Sequence, residues 1–337
     1  MNVTTRRHFL RGSSALVGAS LLPYASLVQA DPPPEVRKLR LINIPAICHA
    51  PQYVAEAMLK LEGFTELEYL DYPTAGPDGI AAGRVDLSMW GAPESIPLID
   101  EGKPIVFLSG VHAGCWEVFG NERVHQIQDL KGKSVVVTGP GSGEHIFISS
   151  MLAYVGIDPS RDVKWVTAPS YPESMHYFAD GKADAFLAFP PIAQEARAKR
   201  IGHVVLDTSR DKPWSQYFCC MVTTNREFLT KHPVATKRAL RAILKSADIC
   251  AAEPERVAKF LVEKGYESRY DVALDVLKTL PYNRWRENSP DDTLRFHALR
   301  LREVGMIKSN PQELVSRGTA VLERTQEGVK GVAERPR

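Results

Sequence analysis

Residues 81–93, AAGRVDLSMWGAP, and residues 179–191, ADGKADAFLAFPP, follow one plan, repeated at an offset of 98 residues. Each carries Ala-x-Gly, a basic residue, and an Asp three places after the Gly. Each then runs through a short apolar stretch into a Pro-containing turn. Gly83 and Gly181 suit the left-handed conformation that ends a helix. Asp86 and Asp184 are placed to bond the backbone at the turn into a strand. Each unit therefore reads helix, Gly stop, Asp turn, strand, loop. An offset this long that occurs once excludes a solenoid and describes two lobes of like construction.

A second correspondence precedes each copy. Residues 133–138, KSVVVT, read as a strand that enters GPGSGEHIF and opens a helix running through Met151 to Val155. This matches the strand of residues 38–47 entering CHAPQYVAEA. Pro51 to Glu62 has helical periodicity, with Val54, Met58 and Leu61 on one face. Leu67 to Leu70 reads as the next strand. This β-α-β alternation implies a parallel sheet with helices packed on it. The fold class is α/β, with two lobes.

In such sheets ligands bind at the carboxyl ends of the strands. Four loops lie there: 48–52 and 90–94 in one lobe, 139–145 and 189–191 in the other. Facing each other, they would line one cleft. The apolar segments 105–112 and 216–224 are expected to be the two crossings between lobes. Lobe 1 is then residues 38–112 with 220–318, and lobe 2 is residues 113–219. After Asn225 the pattern is helical, over 235–251, 254–264 and 291–304. Residues 319–337 are polar and Gly-containing and are expected to fray as a flexible tail.

The amino-terminal 30 residues read as an export signal. Arg6-Arg7 followed by Phe9-Leu10 precede a small-residue apolar run, Ala15 to Leu22, that is too short to span a bilayer. The pair resembles a twin-arginine signal. Residues 31–37, with three successive prolines, form a stiff extended leader. Loss of the signal's three arginines takes the formal net charge from +2 to −1. A near-neutral chain has no electrostatic case for nucleic acid or an anionic membrane surface. A soluble, periplasmic monomer is expected.

Among the residue types that carry chemistry, the loop Gly139 to His145 comes first. Its glycines let backbone N–H groups converge, and a helix N-terminus favours an anion. Ser142 is the expected N-cap, with Glu144 in the first turn. The loop lacks the Gly-Lys-Ser/Thr end of a nucleotide P-loop and the third Gly of a dinucleotide fingerprint. There is no Gly-x-Ser-x-Gly elbow for a serine nucleophile. Trp90 and Phe189 end the two echoed strands and would give the cleft aromatic walls. Trp214 and Tyr217 lie near a crossing and have a weaker claim. Cys48-His49, His112 with Cys115, and Cys219-Cys220 could meet in space as a soft-metal site. None has the repeated spacing of structural zinc, so buried, packing thiols are the reading and no metal is assigned. The odd count of five cysteines also argues against a disulfide scaffold.

The ordered set APQYVAEAM, GRVDLSMWG, DLKGKSVVV, GSGEH, VGIDPSRDVKWV and GKADAFLAFPP resembles the periplasmic solute-binding proteins of nitrate, sulfonate and taurine ABC importers. Thiamine pyrimidine synthases share that superfamily. The resemblance spans roughly residues 38–310. It implies a type II periplasmic-binding-protein fold with a two-strand hinge, a small-molecule ligand (an oxyanion, sulfonate or pyrimidine-like heterocycle), an ABC permease as partner, no cofactor and no catalysis. It places ligand contacts at His49, Ala50 and Pro51, at Trp90 and Gly91, at Ser142, Gly143, Glu144 and His145, and at Phe189 and Pro190. In the synthases a substrate-donating histidine falls, by rough register, near Glu94 here. Their cysteine-rich iron stretch is reduced to Cys219-Cys220. Both departures, with the export signal, argue against the enzyme; a periplasmic sensor that binds the same solute is the other alternative.

Overall fold

The first strand, β1 (Lys38–Asn43), runs parallel to β2 (Glu66–Asp71), as the alternation of apolar residues requires. Then come β3 (Leu87–Gly91), β4 (Ile105–Ala113), β5 (Glu117–Gly120), β6 (Ser134–Val137), β7 (Lys164–Thr167), β8 (Ala185–Ala188), β9 (His203–Asp207) and β10 (Phe218–Asn225). The computed structural model describes residues 31–72, 75–325 and 328–334. The expected export signal, residues 1–30, lies outside the described residues.

The strands fall into two like arrays. The second is one five-stranded sheet in the order β7-β6-β8-β5-β9. There β6 is parallel to β7 and β8, and β5 is antiparallel to β8 and β9. The first array has the ladders β2-β1 and β3-β10-β4, with β10 antiparallel to both its neighbours. β1 lies beside β3 without a continuous ladder. Side chains bridge the gap instead. Gln52 donates to the Ile42 carbonyl at 2.8 Å, while its Oε1 accepts from the Ser88 hydroxyl at 2.8 Å and the Met89 N–H at 2.7 Å. With that bridge the first array reads β2-β1-β3-β10-β4, the same order as the second in corresponding strands.

The echoed aspartates make the correspondence physical. Each stands between a turn and a strand and accepts from a backbone N–H in the first strand of its lobe, Arg40 in β1 and Ser134 in β6, so that donor is not orphaned. Gly83 and Gly181 take φ of +68° and +73°, the helix-stop conformation that glycine adopts without strain.

The chain passes from one array to the other between β4 and β5 and again between β9 and β10. The two crossings lie side by side. The Thr208 hydroxyl accepts from the N–H groups of Cys115 (3.2 Å) and Trp116 (3.0 Å) and donates to the Trp116 carbonyl (2.8 Å).

Helices cover both faces. The expected helix from Pro51 to Glu62 is divided into Ala50–Val54 and Glu56–Leu61, preceded by a 3-10 turn over Ile47–His49. The long carboxyl-terminal helices are Pro233–Ala252, Pro254–Glu263 and Pro290–Glu303, close to their expected bounds. The leader is pinned rather than loose: Glu35 accepts from the N–H groups of Val234 (2.9 Å) and Ala235 (2.7 Å), where the helix dipole favours a carboxylate. The expectation of a frayed tail is corrected. Residues Ala320–Thr325 and Gly328–Glu334 pair antiparallel as a hairpin. These segments are polar and Gly-containing and show no regular apolar alternation, so no local pattern marks them as strands.

Candidate functional site

All four expected loops contribute to one cavity of about 520 Å³ between the two arrays. Cys48 and His49 come from the end of β1, and Trp90, Gly91 and Glu94 from the end of β3. Gly141, Ser142 and Gly143 come from the end of β6, and Phe189 from the end of β8. This volume suits a small organic molecule.

The walls are largely aromatic. Trp116 meets Phe189 edge-on at 4.9 Å between ring centres, and Phe189 meets Tyr171 at 4.8 Å. On the other side Tyr72 tilts against Trp90 at 5.7 Å. Tyr72 and Tyr171 were missed by the sequence reading. They follow β2 and β7, so the carboxyl-end rule, applied to the second strand of each array, would have found them.

Glu94 lies where the two arrays meet. A Cβ on Gly91 would sit 2.0 Å from its Oε2, and one on Gly143 would sit 2.8 Å from its Cγ. Both positions therefore need glycine to leave room for this acid. The Glu94 Oε2 is enclosed and has no hydrogen-bond partner among the described residues. Burial, reinforced by the neighbouring Cys220, Glu144 and Cys48, pushes its pKa up to about 8. Its carboxyl is therefore largely protonated at neutral pH and offers a donor as well as an acceptor. His49 Nε2 and Trp90 Nε1 are likewise enclosed and unpartnered. Tyr171 hydroxyl ionisation is opposed by burial and by Glu144.

Ser142 is the N-cap of the helix Gly143–Tyr154, accepting from the His145 N–H at 3.4 Å. Five of the expected contacts stand behind the wall rather than in it: Ala50, Pro51, Glu144, His145 and Pro190. Ala50 and Pro51 are buried in the first helical turn. The Glu144 carboxylate turns back to accept from the Thr138 N–H, closing its own loop. The His145 ring accepts from Gly141 N–H at 3.1 Å and packs edge-on against Trp165 at 4.5 Å. Pro190 is buried just past Phe189. On a helix start only the first exposed N–H groups face outward, so neighbours in sequence point away from the cleft. Trp214 is also a core residue, packed on Phe147 and Phe296. Tyr217 stacks on Phe296 at 3.9 Å.

The cysteines gather in the lining itself, to which Cys48, Cys115, Cys219 and Cys220 all contribute. Cys48, Cys115, Cys219 and Cys220 are buried and free, and Cys115 Sγ lies 2.9 Å from Cys219 Sγ. Hydrogen bonding with Cys115 lowers the Cys48 and Cys220 thiols, whereas burial raises Cys115.

The model of the NMT1-like family matches residues 32–261. YtlA of Bacillus subtilis (strain 168), named as a binding protein, is 24% identical over 316 residues, covering 89% of this chain and 92% of YtlA. Among solved structures, the periplasmic nitrate-binding protein NrtA from Synechocystis PCC 6803 superposes with a TM-score of 0.69 at 16% identity, over 86% of this chain and 87% of that one. The alkanesulfonate-binding protein SsuA from Xanthomonas axonopodis pv. citri, bound to MOPS, superposes at 0.67 and 15% identity, over 85% and 98%. The fold is that of the periplasmic binding proteins, two α/β lobes joined by a two-strand hinge.

Proposed function

The chain belongs to the NMT1-like family, and from that premise we propose that it is the exported substrate-binding component of an ABC importer. It captures a small solute in the inter-lobe cavity, closes by rotation about the two crossings, and presents the loaded form to a membrane permease. No covalent step is required.

Of the expected ligand classes, a flat, neutral heterocycle of pyrimidine type is favoured over nitrate or a sulfonate. The observation that carries this is the lining itself. Among the described residues that line the cavity there is no lysine or arginine, while Asp78, Glu94 and Glu101 are present. An oxyanion is ordinarily held by charge-assisted donors, and carboxylates repel it. A heteroaromatic ring instead stacks on the aromatic walls, with its ring nitrogens and exocyclic groups matched to His49 Nε2, Trp90 Nε1 and Glu94 Oε2. The helix N-terminus at Ser142 and Gly143 would take a partly negative oxygen substituent.

A thermal-shift series on the purified chain tests this. Pyrimidines and related heterocycles are expected to raise Tm with a concentration dependence set by mass action, and nitrate and alkanesulfonates are not. Stabilisation by the anions alone would refute the heterocycle class and keep the binding role; stabilisation by none of them would count against both.

A further inference from the structure

We propose that Cys48, His112, Cys115 and Cys220 form a tetrahedral site for a soft, zinc-type d10 cation in the cavity floor, where the three cysteines belong to the lining. One ligand atom from each of the four lies within 4.8 Å of all the others, and all four residues are buried. Three thiolates and an imidazole are the donor set of a closed structural site. Tetrahedral zinc with sulfur bonds of about 2.3 Å sets its sulfurs about 3.8 Å apart, so the cluster needs to contract by roughly an ångström.

The orientation of His112 is the second, independent observation. Its Nδ1 lies 3.0 Å from the Gly114 carbonyl and so carries the proton. That fixes the tautomer and leaves the Nε2 lone pair free. Nε2 is enclosed with no hydrogen-bond partner among the described residues, on a side chain 0% exposed. A backbone carbonyl holding the far nitrogen is how proteins orient a metal-binding imidazole. The shell around the cysteines is equally fixed. The Tyr282 hydroxyl donates to the Cys48 carbonyl at 3.2 Å, and its ring meets His112 edge-on at 5.2 Å.

Binding a dication here releases the three thiol protons to solvent and leaves a net charge of −1 on the site. His49 Nδ1, 3.4 Å from Cys48 Sγ, is placed to donate to that thiolate and offset part of the charge. Cys219, against Cys115, is placed to donate an S–H to the coordinated sulfur. The four ligands come from the first cleft loop, from β4, from the first crossing and from β10. A bound cation would therefore tie the first cleft loop to the first crossing and to β4 and β10.

The test uses the full chain, reduced with a phosphine and stripped with a chelator, then titrated with Co²⁺. The expected result is one Co²⁺ per chain, with a thiolate-to-metal charge-transfer band and the intense visible bands of tetrahedral cobalt, displaced by Zn²⁺. C48S and C220S should each lose the charge-transfer intensity of a three-thiolate site, while C219S and C250S keep the stoichiometry. The wild-type spectrum stands as evidence even if a variant fails to fold. No charge-transfer band in the reduced wild type overturns the proposal. So does a band unchanged in folded C48S or C220S. So does a Cys115–Cys219 disulfide that forms as fast with Zn²⁺ as without it, since coordinated Cys115 resists oxidation. Solute binding without any metal spectrum removes this site and leaves the importer reading intact.

Discussion

Asp86 and Asp184 do the same work in the two lobes. Asp86 Oδ2 accepts from the Arg40 N–H at 2.8 Å, and Asp184 Oδ2 accepts from the Ser134 N–H at 2.9 Å. Each also holds an arginine, Arg40 in the first case and Arg123 in the second. Asp86→Ala and Asp184→Ala are each expected to destabilise the fold by about 3 kcal/mol, because a buried N–H and a guanidinium both lose their partner. Urea unfolding measures this; a loss below about 0.5 kcal/mol in either would remove the structural reading of the echo.

The pH dependence of Asp184 follows from its surroundings. Burial pulls its pKa upward, but hydrogen bonds from Ser134 and Asn121 and the charge of Arg123 bring it below the usual carboxylate value. A group lowered on folding contributes stability above its unfolded pKa and loses it as pH falls through the folded value. Wild type should therefore lose stability on acidification below about pH 4 that Asp184→Asn, already deprived of the charge, does not lose. Parallel acid titration curves for the two proteins would contradict this.

Glu94 has the opposite sign. Its folded pKa is raised by burial to about 8. Its neutral form is favoured by folding, so its contribution is complete below the ordinary carboxylate value and declines as pH rises through about 8. Glu94→Gln, a neutral mimic of the same shape, should flatten the alkaline side of the stability profile between about pH 5 and 8 and leave Tm near pH 4 almost unchanged. An unchanged alkaline slope would mean that the carboxyl is solvated.

Gln52 joins β1 to β3 through three hydrogen bonds and is fully buried. Gln52→Ala leaves a carbonyl, a hydroxyl and an N–H unpaired where no ladder replaces them. A loss of about 3 kcal/mol is expected, with increased amide exchange in β1 and β3. Exchange confined to the helix Ala50–Val54 would show that the two ladders hold without the bridge.

The aromatic walls should govern affinity. Trp90→Ala and Phe189→Ala are each expected to weaken binding of whichever heterocycle stabilises the wild type by about tenfold, about 1.4 kcal/mol, with little change in Tm of the free protein. Titration calorimetry reads this directly. Unchanged affinity in both would place the ligand elsewhere.

Much of this protein is legible along the chain. The Ala-x-Gly-basic-x-Asp echo, the β-α-β alternation and the glycine stops are local patterns with fixed consequences for the backbone. They determined two lobes of one plan, the strand ends that face the cleft, and the loops that supply its lining. The strands at 320–325 and 328–334 are not legible along the chain, because their sequence is polar and lacks a period-two apolar pattern.

What the chain could not determine is which side chains on those loops turn inward. His49 and Trp90 face the cavity, while His145 and Glu144, one or two residues past the helix start, turn back to satisfy their own loop. A rotation of about 100° per helical residue decides that, and it is fixed only when the helix docks. Nor could spacing bring Cys48, His112, Cys115 and Cys220 together, because they lie on separate elements. Their meeting depends on β10 pairing with β4 and on the first loop folding over both. Only the closed tertiary structure places a thiol from residue 48 beside one from residue 220.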